Sequence, residues 1–129
     1  MKLNLLILFS MFMNLAAFSQ DFFSPNDAYE LSKSNKAVIV DIREQSEWEQ
    51  SGLAAPAVWL ANSSIEAKDA AYLSFINSQD KEKSIVLYCR SGRRASRALV
   101  VFKELGFKVY NMGGLVHWKN AGLPLKSRP

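Results

Sequence analysis

The sequence is poor in the residues that build metal centres and disulfide frameworks. Its 129 residues include one cysteine and one histidine. A lone cysteine forms no internal disulfide, and one Cys with one His falls short of a zinc ligand set. Six Gly and four Pro exclude collagen-like and Gly/Pro-rich low-complexity chains. Charge of one sign is barely in excess: 16 Lys+Arg against 12 Asp+Glu leave a net charge of +4. That balance is too even to demand nucleic acid. A TIM barrel or a pair of dinucleotide-binding halves takes roughly 200 residues or more, so length excludes both. What is present, 49% apolar and 22% charged residues, is the make-up of a folded globular domain with enough chain to bury a core.

No apolar run reaches the roughly 20 residues that span a bilayer. The longest, Leu3 to Phe18, is interrupted only by Asn4, Ser10 and Asn14. It follows the positive Lys2 and ends with Ala17 and Ser19, small residues at the spacing a signal peptidase reads. Residues 1–19 are therefore expected to be a secretory leader cleaved before Gln20. Residues 20–129 would then form a single exported domain, periplasmic or secreted, with no stable membrane insertion.

The rest of the chain alternates helix and strand signals. Ser24-Pro25-Asn26-Asp27 reads as a helix start, with Ser as cap, Pro at the first helical position and an acid in the first turn. This helix should end near Lys33. Ala37 to Val40 is a β-branched run that fits a strand buried on both faces, ending at Asp41. Glu44 to Gln50 reads as a short acidic helix closed by Gly52, its acids Glu44, Glu47 and Glu49 forming a solvated face. Ala57 to Leu60 reads as a short strand. Ser63-x-x-Glu66 has the form of a capping box for one helix running to about Asn77. Ser84 to Tyr88 is another buried strand. Ala95, Ala98, Leu99 and Phe102 fall at i, i+3, i+4 and i+7 of a helix that Gly106 closes. Lys108 to Asn111 reads as the last strand, followed by a short helix through Trp118. Such alternation predicts a mostly parallel α/β sheet of about five strands with helices on both faces. In such sheets, sites lie at the carboxyl ends of the strands.

Cys89 stands at such an end. Tyr88-Cys89-Arg90-Ser91-Gly92-Arg93-Arg94 joins a buried strand directly to a helix. Gly92 permits the backbone angles of a tight curl. The curled N–H groups and the helix N-terminus together make an anion cradle, to which Arg90, Arg93 and Arg94 add positive charge. Helix N-termini and nearby arginines favour the nucleophilic thiolate form of a cysteine. Cys89 is the candidate nucleophile, and the segment Arg90, Ser91, Gly92, Arg93 and Arg94 is the candidate anion-binding loop. Asp41 and Arg43 end a strand on the same side and read as supporting structure. His117, beside Trp118, reads as a packing or surface residue. Trp48, Trp59 and Trp118 read as core or rim.

Cys89-Arg90-Ser91-Gly92-Arg93-Arg94, between an apolar strand and an amphipathic helix, resembles the active-site loop of rhodanese-domain sulfurtransferases. Val40-Asp41-Ile42-Arg43-Glu44 with Glu47-Trp48 is similar to the stretch that opens that domain. Gly52 to Ala57 stands where the family often has a Gly-His-Ile-Pro-Gly-Ala-like segment, here without the His. Met112-Gly113-Gly114, Trp118 and Gly122-Leu123-Pro124 resemble its closing elements. The resemblance covers about Ser24 to Leu125 and implies a rhodanese-like fold. It also implies a reaction: Cys89 takes the outer sulfur of thiosulfate or a similar small anionic donor as a persulfide. A thiol or cyanide then accepts the sulfur, with no metal or organic cofactor. Ala95 stands where many members have Ser. A non-catalytic rhodanese-like module or sulfur carrier, and a cysteine phosphatase or arsenate reductase, are the alternatives. Phosphatase loops place five residues between Cys and Arg, whereas four separate Cys89 from Arg94.

Overall fold

The computed structural model describes residues 21–129, so the expected leader lies outside the described residues. Helix α1 (Pro25–Lys33) begins as its sequence implies: the Ser24 hydroxyl accepts the Asp27 N–H at 3.1 Å. Strand β1 (Ala37–Asp41) follows, then α2 (Gln45–Ser51), which stops at Gly52 with φ +75°. Two-residue strands β2 (Leu53–Ala54) and β3 (Val58–Trp59) come next. Beyond helices α3 (Asn62–Ala67) and α4 (Ala70–Ser78) run β4 (Ser84–Cys89) and α5 (Arg93–Glu104). The chain closes with β5 (Val109–Gly114), α6 (Leu115–Asn120) and β6 (Leu125–Lys126).

The main sheet is parallel throughout, in the order β3-β1-β4-β5. It has four strands, against the five or so expected. The remaining two, β2 and β6, pair antiparallel as a separate small sheet. Side chains alternate across the main sheet as the pleat requires. Val40, Ile85, Leu87 and Cys89 face a core shared with Ile65, Tyr72, Ala98, Leu99 and Phe102, under α3, α4 and α5. Ile39, Val86 and Tyr88 face the opposite core with Ala28, Leu115 and Trp118, under α1 and α6. From β1 the chain goes to one neighbour, β3, and then crosses to the other, β4. The carboxyl ends of β1 and β4 therefore flank the point where strand order reverses, which is where open α/β sheets bind ligands. Asp41 pairs in register with Tyr88, so Asp41 and Cys89 arrive at the same end of the sheet.

One helix expected from Ser63 to Asn77 is two. Lys68 takes a left-handed conformation, φ +50°, and ends α3; Asp69 then caps α4 by accepting the Tyr72 N–H at 3.1 Å. The Ser63/Glu66 capping box does not form. The Ser63 hydroxyl and N–H instead reach the Glu44 carboxylate at 3.0 and 3.1 Å. A local capping motif has lost to a tertiary partner, and Asp69 supplies the stronger cap six residues on. The break lets Ile65 and Tyr72 both turn inward. Replacing Asp69 by Ala is expected to lower stability by about 1 kcal/mol. Urea unfolding checks this: a change under ~0.2 kcal/mol would mean that α4 needs no separate start.

Candidate active site

Cys89 is the last residue of β4, 1% exposed, with its sulfur facing into the loop that follows. The Gly92 N–H donates to the Cys89 Sγ at 3.0 Å. This requires the chain to reverse within three residues, and Gly92 does so at φ +99° as it caps α5. The loop is supported from below. The Asn111 side chain donates to the Gly92 carbonyl at 2.9 Å and to the Ser96 hydroxyl at 3.0 Å, and accepts the Gly113 N–H at 2.8 Å. Gly114 lies so close under the loop that a Cβ there would sit 1.8 Å from the Arg90 carbonyl oxygen. The register of β4 with β5 slips between Leu87 and Cys89, which carries the Gly113-Gly114 pair into this position.

The expected site residues separate into two sets. Cys89, Gly92 and Arg94 come together, while Arg90, Ser91 and Arg93 are exposed on the outer side of the loop. Arg94 is half-buried and gripped by Glu47, whose two oxygens accept from its two terminal nitrogens at 2.7 Å each. Glu47 also accepts the Glu44 backbone N–H at 2.8 Å, so α2 and the Cys loop share one carboxylate. The hydrogen bond from Arg94 holds the Glu47 carboxyl below its ordinary value of 4.5, against the opposing effect of burial. Reciprocally, Arg94 is held further into its charged form by Glu47, with a smaller contribution of the same sign from the Cys89 sulfur. Glu47 thus departs from the solvated face expected of the α2 acids, because tertiary packing sets α2 against the start of α5. Sequence offered one usable signal: an acid beside Trp48, whose burial fixes which way that face of α2 points.

Asp41 and Arg43 are fully buried beside the loop. Arg43 meets the Asp41 carboxylate through Nε at 3.1 Å and through a terminal nitrogen at 2.8 Å. Its remaining donors reach the Ser51 hydroxyl and the Gly52 carbonyl at 2.7 and 2.6 Å. The Tyr88 hydroxyl donates to Asp41 at 2.7 Å and accepts the Ala54 N–H at 3.0 Å. Burial first, and then the Asp41 charge, push the Tyr88 hydroxyl far above its usual range, so it remains a proton donor. His117 is exposed, and its Nδ1 accepts the Gly114 N–H at 2.9 Å, which braces the turn into α6. Trp118 is buried, and Trp48 packs edge-on against Trp59 at 5.5 Å. Ala95 is buried beneath the loop and belongs to the core. Asn111 went unrecognised in the sequence, where nothing separates it from an ordinary strand-end polar residue. Among the described residues, no cluster of three His, Cys, Asp or Glu is placed to hold a metal ion.

Residues 24–121 match the rhodanese-like domain. The chain is 30% identical over 95 residues to a protein named thiosulfate sulfurtransferase GlpE from Coxiella burnetii. That match covers 72% of this chain and 81% of the relative. It is also 30% identical over 97 residues to a sulfurtransferase of Allochromatium vinosum, covering 74% and 83%. A crystal structure of a rhodanese-related protein from Thermoplasma volcanium superposes with a TM-score of 0.67 at 22% identity, over 82% of this chain and 97% of that one.

The Glu47–Arg94 pair should be visible in the pH dependence of stability. A carboxyl whose folded value is depressed adds stability above its ordinary value, and that stability is lost as pH falls through the folded value. Wild type is expected to exceed Glu47→Gln by about 1 kcal/mol or less above pH 4.5. The gap should close as pH falls below that. Urea titrations across this range check it, and a gap that does not depend on pH would show the pair to be uncharged or unformed.

Proposed function

The chain belongs to the rhodanese-domain sulfurtransferases, and from that membership we propose that it transfers the outer sulfur of thiosulfate, or of a similar small anion, through a persulfide on Cys89. The observation that carries the reading is the placement of the lone cysteine: at the carboxyl end of a central strand, its sulfur hydrogen-bonded by the Gly92 N–H, with Arg94 beside it. In the first half-reaction the Cys89 thiolate attacks the outer sulfur. The S–S bond of the donor breaks, and sulfite leaves with the electron pair. A persulfide remains, stabilised by loop N–H groups as an oxyanion hole stabilises an alkoxide. In the second, a thiol or cyanide attacks the outer persulfide sulfur, and the Cys89 thiolate leaves. The two steps share one site, so ping-pong kinetics are expected. The scheme needs no metal or organic cofactor.

Arg94 interacts with the Cys89 sulfur, and its hold by Glu47 fixes its direction. This supports a role in meeting the donor anion, with Arg90 and Arg93 adding field from the exposed side. Export is part of the same proposal and rests on residues 1–19. Fractionation of cells expressing the full chain should recover a mature form beginning at Gln20 outside the cytoplasm.

The decisive measurement is intact mass after incubation with thiosulfate. Wild type is expected to gain about 32 Da, one sulfur atom, and Cys89→Ser nothing, because a serine alkoxide is inaccessible at neutral pH. Arg94→Ala should raise the thiosulfate KM roughly ten- to hundredfold, the loss of a charge-assisted contact. Hydrolysis of p-nitrophenyl phosphate should be negligible. Phosphate-ester hydrolysis that disappears in Cys89→Ser, with no mass gain from thiosulfate, would replace this reading by a phosphatase.

A further inference from the structure

Asn111 is buried in β5, 2% exposed, against Gly92: a Cβ on Gly92 would stand 3.5 Å from both atoms of the Asn111 amide head. A buried Asn must place two side-chain donor hydrogens and an acceptor oxygen, and its main chain adds a donor and an acceptor. All of these groups find partners. Nδ2 donates to the Gly92 carbonyl and to the Ser96 hydroxyl, and Oδ1 accepts the Gly113 N–H. The main-chain N–H donates to the Asp21 carbonyl at 2.7 Å, and the main-chain carbonyl accepts the Phe23 N–H at 3.0 Å. One residue therefore joins three segments: the loop after Cys89, the Gly113-Gly114 turn, and residues 21–23, which meet β5 as a parallel bridge at Phe22.

Gly92 needs such a partner. Glycine has no Cβ to restrict its backbone, so its own sterics do not secure the direction of its N–H. That N–H is the one that donates to the Cys89 Sγ. The Gly92 carbonyl accepts the Ser96 N–H at 2.9 Å, the first helical bond of α5, and a single bond of this kind acts as a hinge. The Asn111 Nδ2, arriving from β5 at 2.9 Å, is a second donor to the same oxygen and fixes it. Asn111 is fixed in turn. β5 ends the main sheet, so without residues 21–23 the outward main-chain groups of Asn111 would face water. Those residues are held by an ion pair of Asp21 with Lys103 of α5, and by Phe23 set edge-on against Tyr110 at 4.3 Å.

We infer, on the sulfur-transfer reading above, that Asn111 is a positioning residue for that reaction, acting through Gly92, and that the backbone contact of residues 21–23 with Asn111 belongs to the same support. The step it serves is discharge of the persulfide. The acceptor bonds to the outer sulfur, the Sγ–S bond breaks, and its electron pair returns to Sγ, at which the Gly92 N–H already points. Charge that develops in front of a prepared donor is stabilised without reorganisation. Binding of the donor anion, assigned above to Arg94, is a separate matter and does not pass through Asn111.

The test loads Cys89 with thiosulfate, removes the excess and follows discharge by cyanide through the intact mass. Asn111→Ala is expected to lower the second-order discharge constant about tenfold, the misdirection of one hydrogen bond to a charged group. The thiosulfate concentration that half-saturates loading should stay within about twofold of wild type. A rate constant does not depend on the fraction folded, so lost stability alone leaves it unmoved. The N-terminal contact is tested by Phe23→Pro against Phe23→Ala: both lack the ring, and only the first lacks the N–H that Asn111 accepts. Phe22 is in a β-bridge, an extended conformation that a following proline tolerates. Phe23→Pro should discharge about threefold more slowly than Phe23→Ala. A discharge constant for Asn111→Ala within twofold of wild type overturns the positioning role, as does a half-saturating concentration that rises in step with the slowing. Equal constants for the two Phe23 variants overturn the part given to residues 21–23, and the whole inference if Asn111→Ala does not fold. Failure of thiosulfate to load wild-type Cys89 overturns the sulfur-transfer reading, and the positioning role with it.

Discussion

A buried ion pair organises the end of the sheet where Cys89 sits. Asp41 and Arg43 are both removed from water, and isolated charges in that position would cost several kcal/mol each. They persist because nearly every donor and acceptor on them is used. Asp41 accepts from the Arg43 side chain and backbone and from the Tyr88 hydroxyl. Arg43 spends its other donors on Ser51 and Gly52. The cluster thereby ties β1 to β4, to the end of α2 and, through Tyr88 and Ala54, to β2. Burial alone would push Arg43 towards neutrality; the Asp41 hydrogen bond and charge outweigh it and keep the guanidinium firmly charged. Such a pair adds little net stability over an apolar substitute, but losing either partner would strand a charge. Its value is positional, because Cys89 is the residue after Tyr88.

The Cys loop is then fixed from three directions. Its start is set by Tyr88, its underside by Asn111 and the closely packed Gly114, and its far end by the grip of Glu47 on Arg94. A nucleophile needs this preorganisation, since N–H groups stabilise a developing sulfur anion only if they already point at it. The same fixing sorts the cations. Arg43 and Arg94 are committed to carboxylates, and Arg90 and Lys119 line an open groove beside the loop, uncommitted among the described residues. Committed cations hold the reacting sulfur and its surroundings in place. Uncommitted ones are left free in the groove, while Arg94 keeps a fixed direction beside the reacting sulfur.

Much of this was written in local sequence. β-branched runs at 37–40 and 84–88 became the central strands, because such runs suit burial on both faces. Ser24-Pro25, Gly52 and Gly106 marked helix ends, because caps and turns depend on a few neighbouring dihedrals. The placement of Cys89 between a buried strand and a helix sufficed to nominate it and its loop. What tertiary structure decided are the outcomes of competition between distant partners. Ser63 lost its capping box to Glu44, nineteen positions away. β2 was invisible because two residues carry no periodicity, and only β6 across the molecule makes them a strand. Glu47 and Asn111 look like any surface acid and any polar strand end until the sheet brings α2 to the start of α5, and β5 under Gly92. Sequence by itself marked the long central strands, most helix ends and the candidate nucleophile, since these follow from short-range chemistry. Which charges are neutralised and which remain free was decided only by the fold, because an ion pair depends on distances that pleat, register and helix packing alone define.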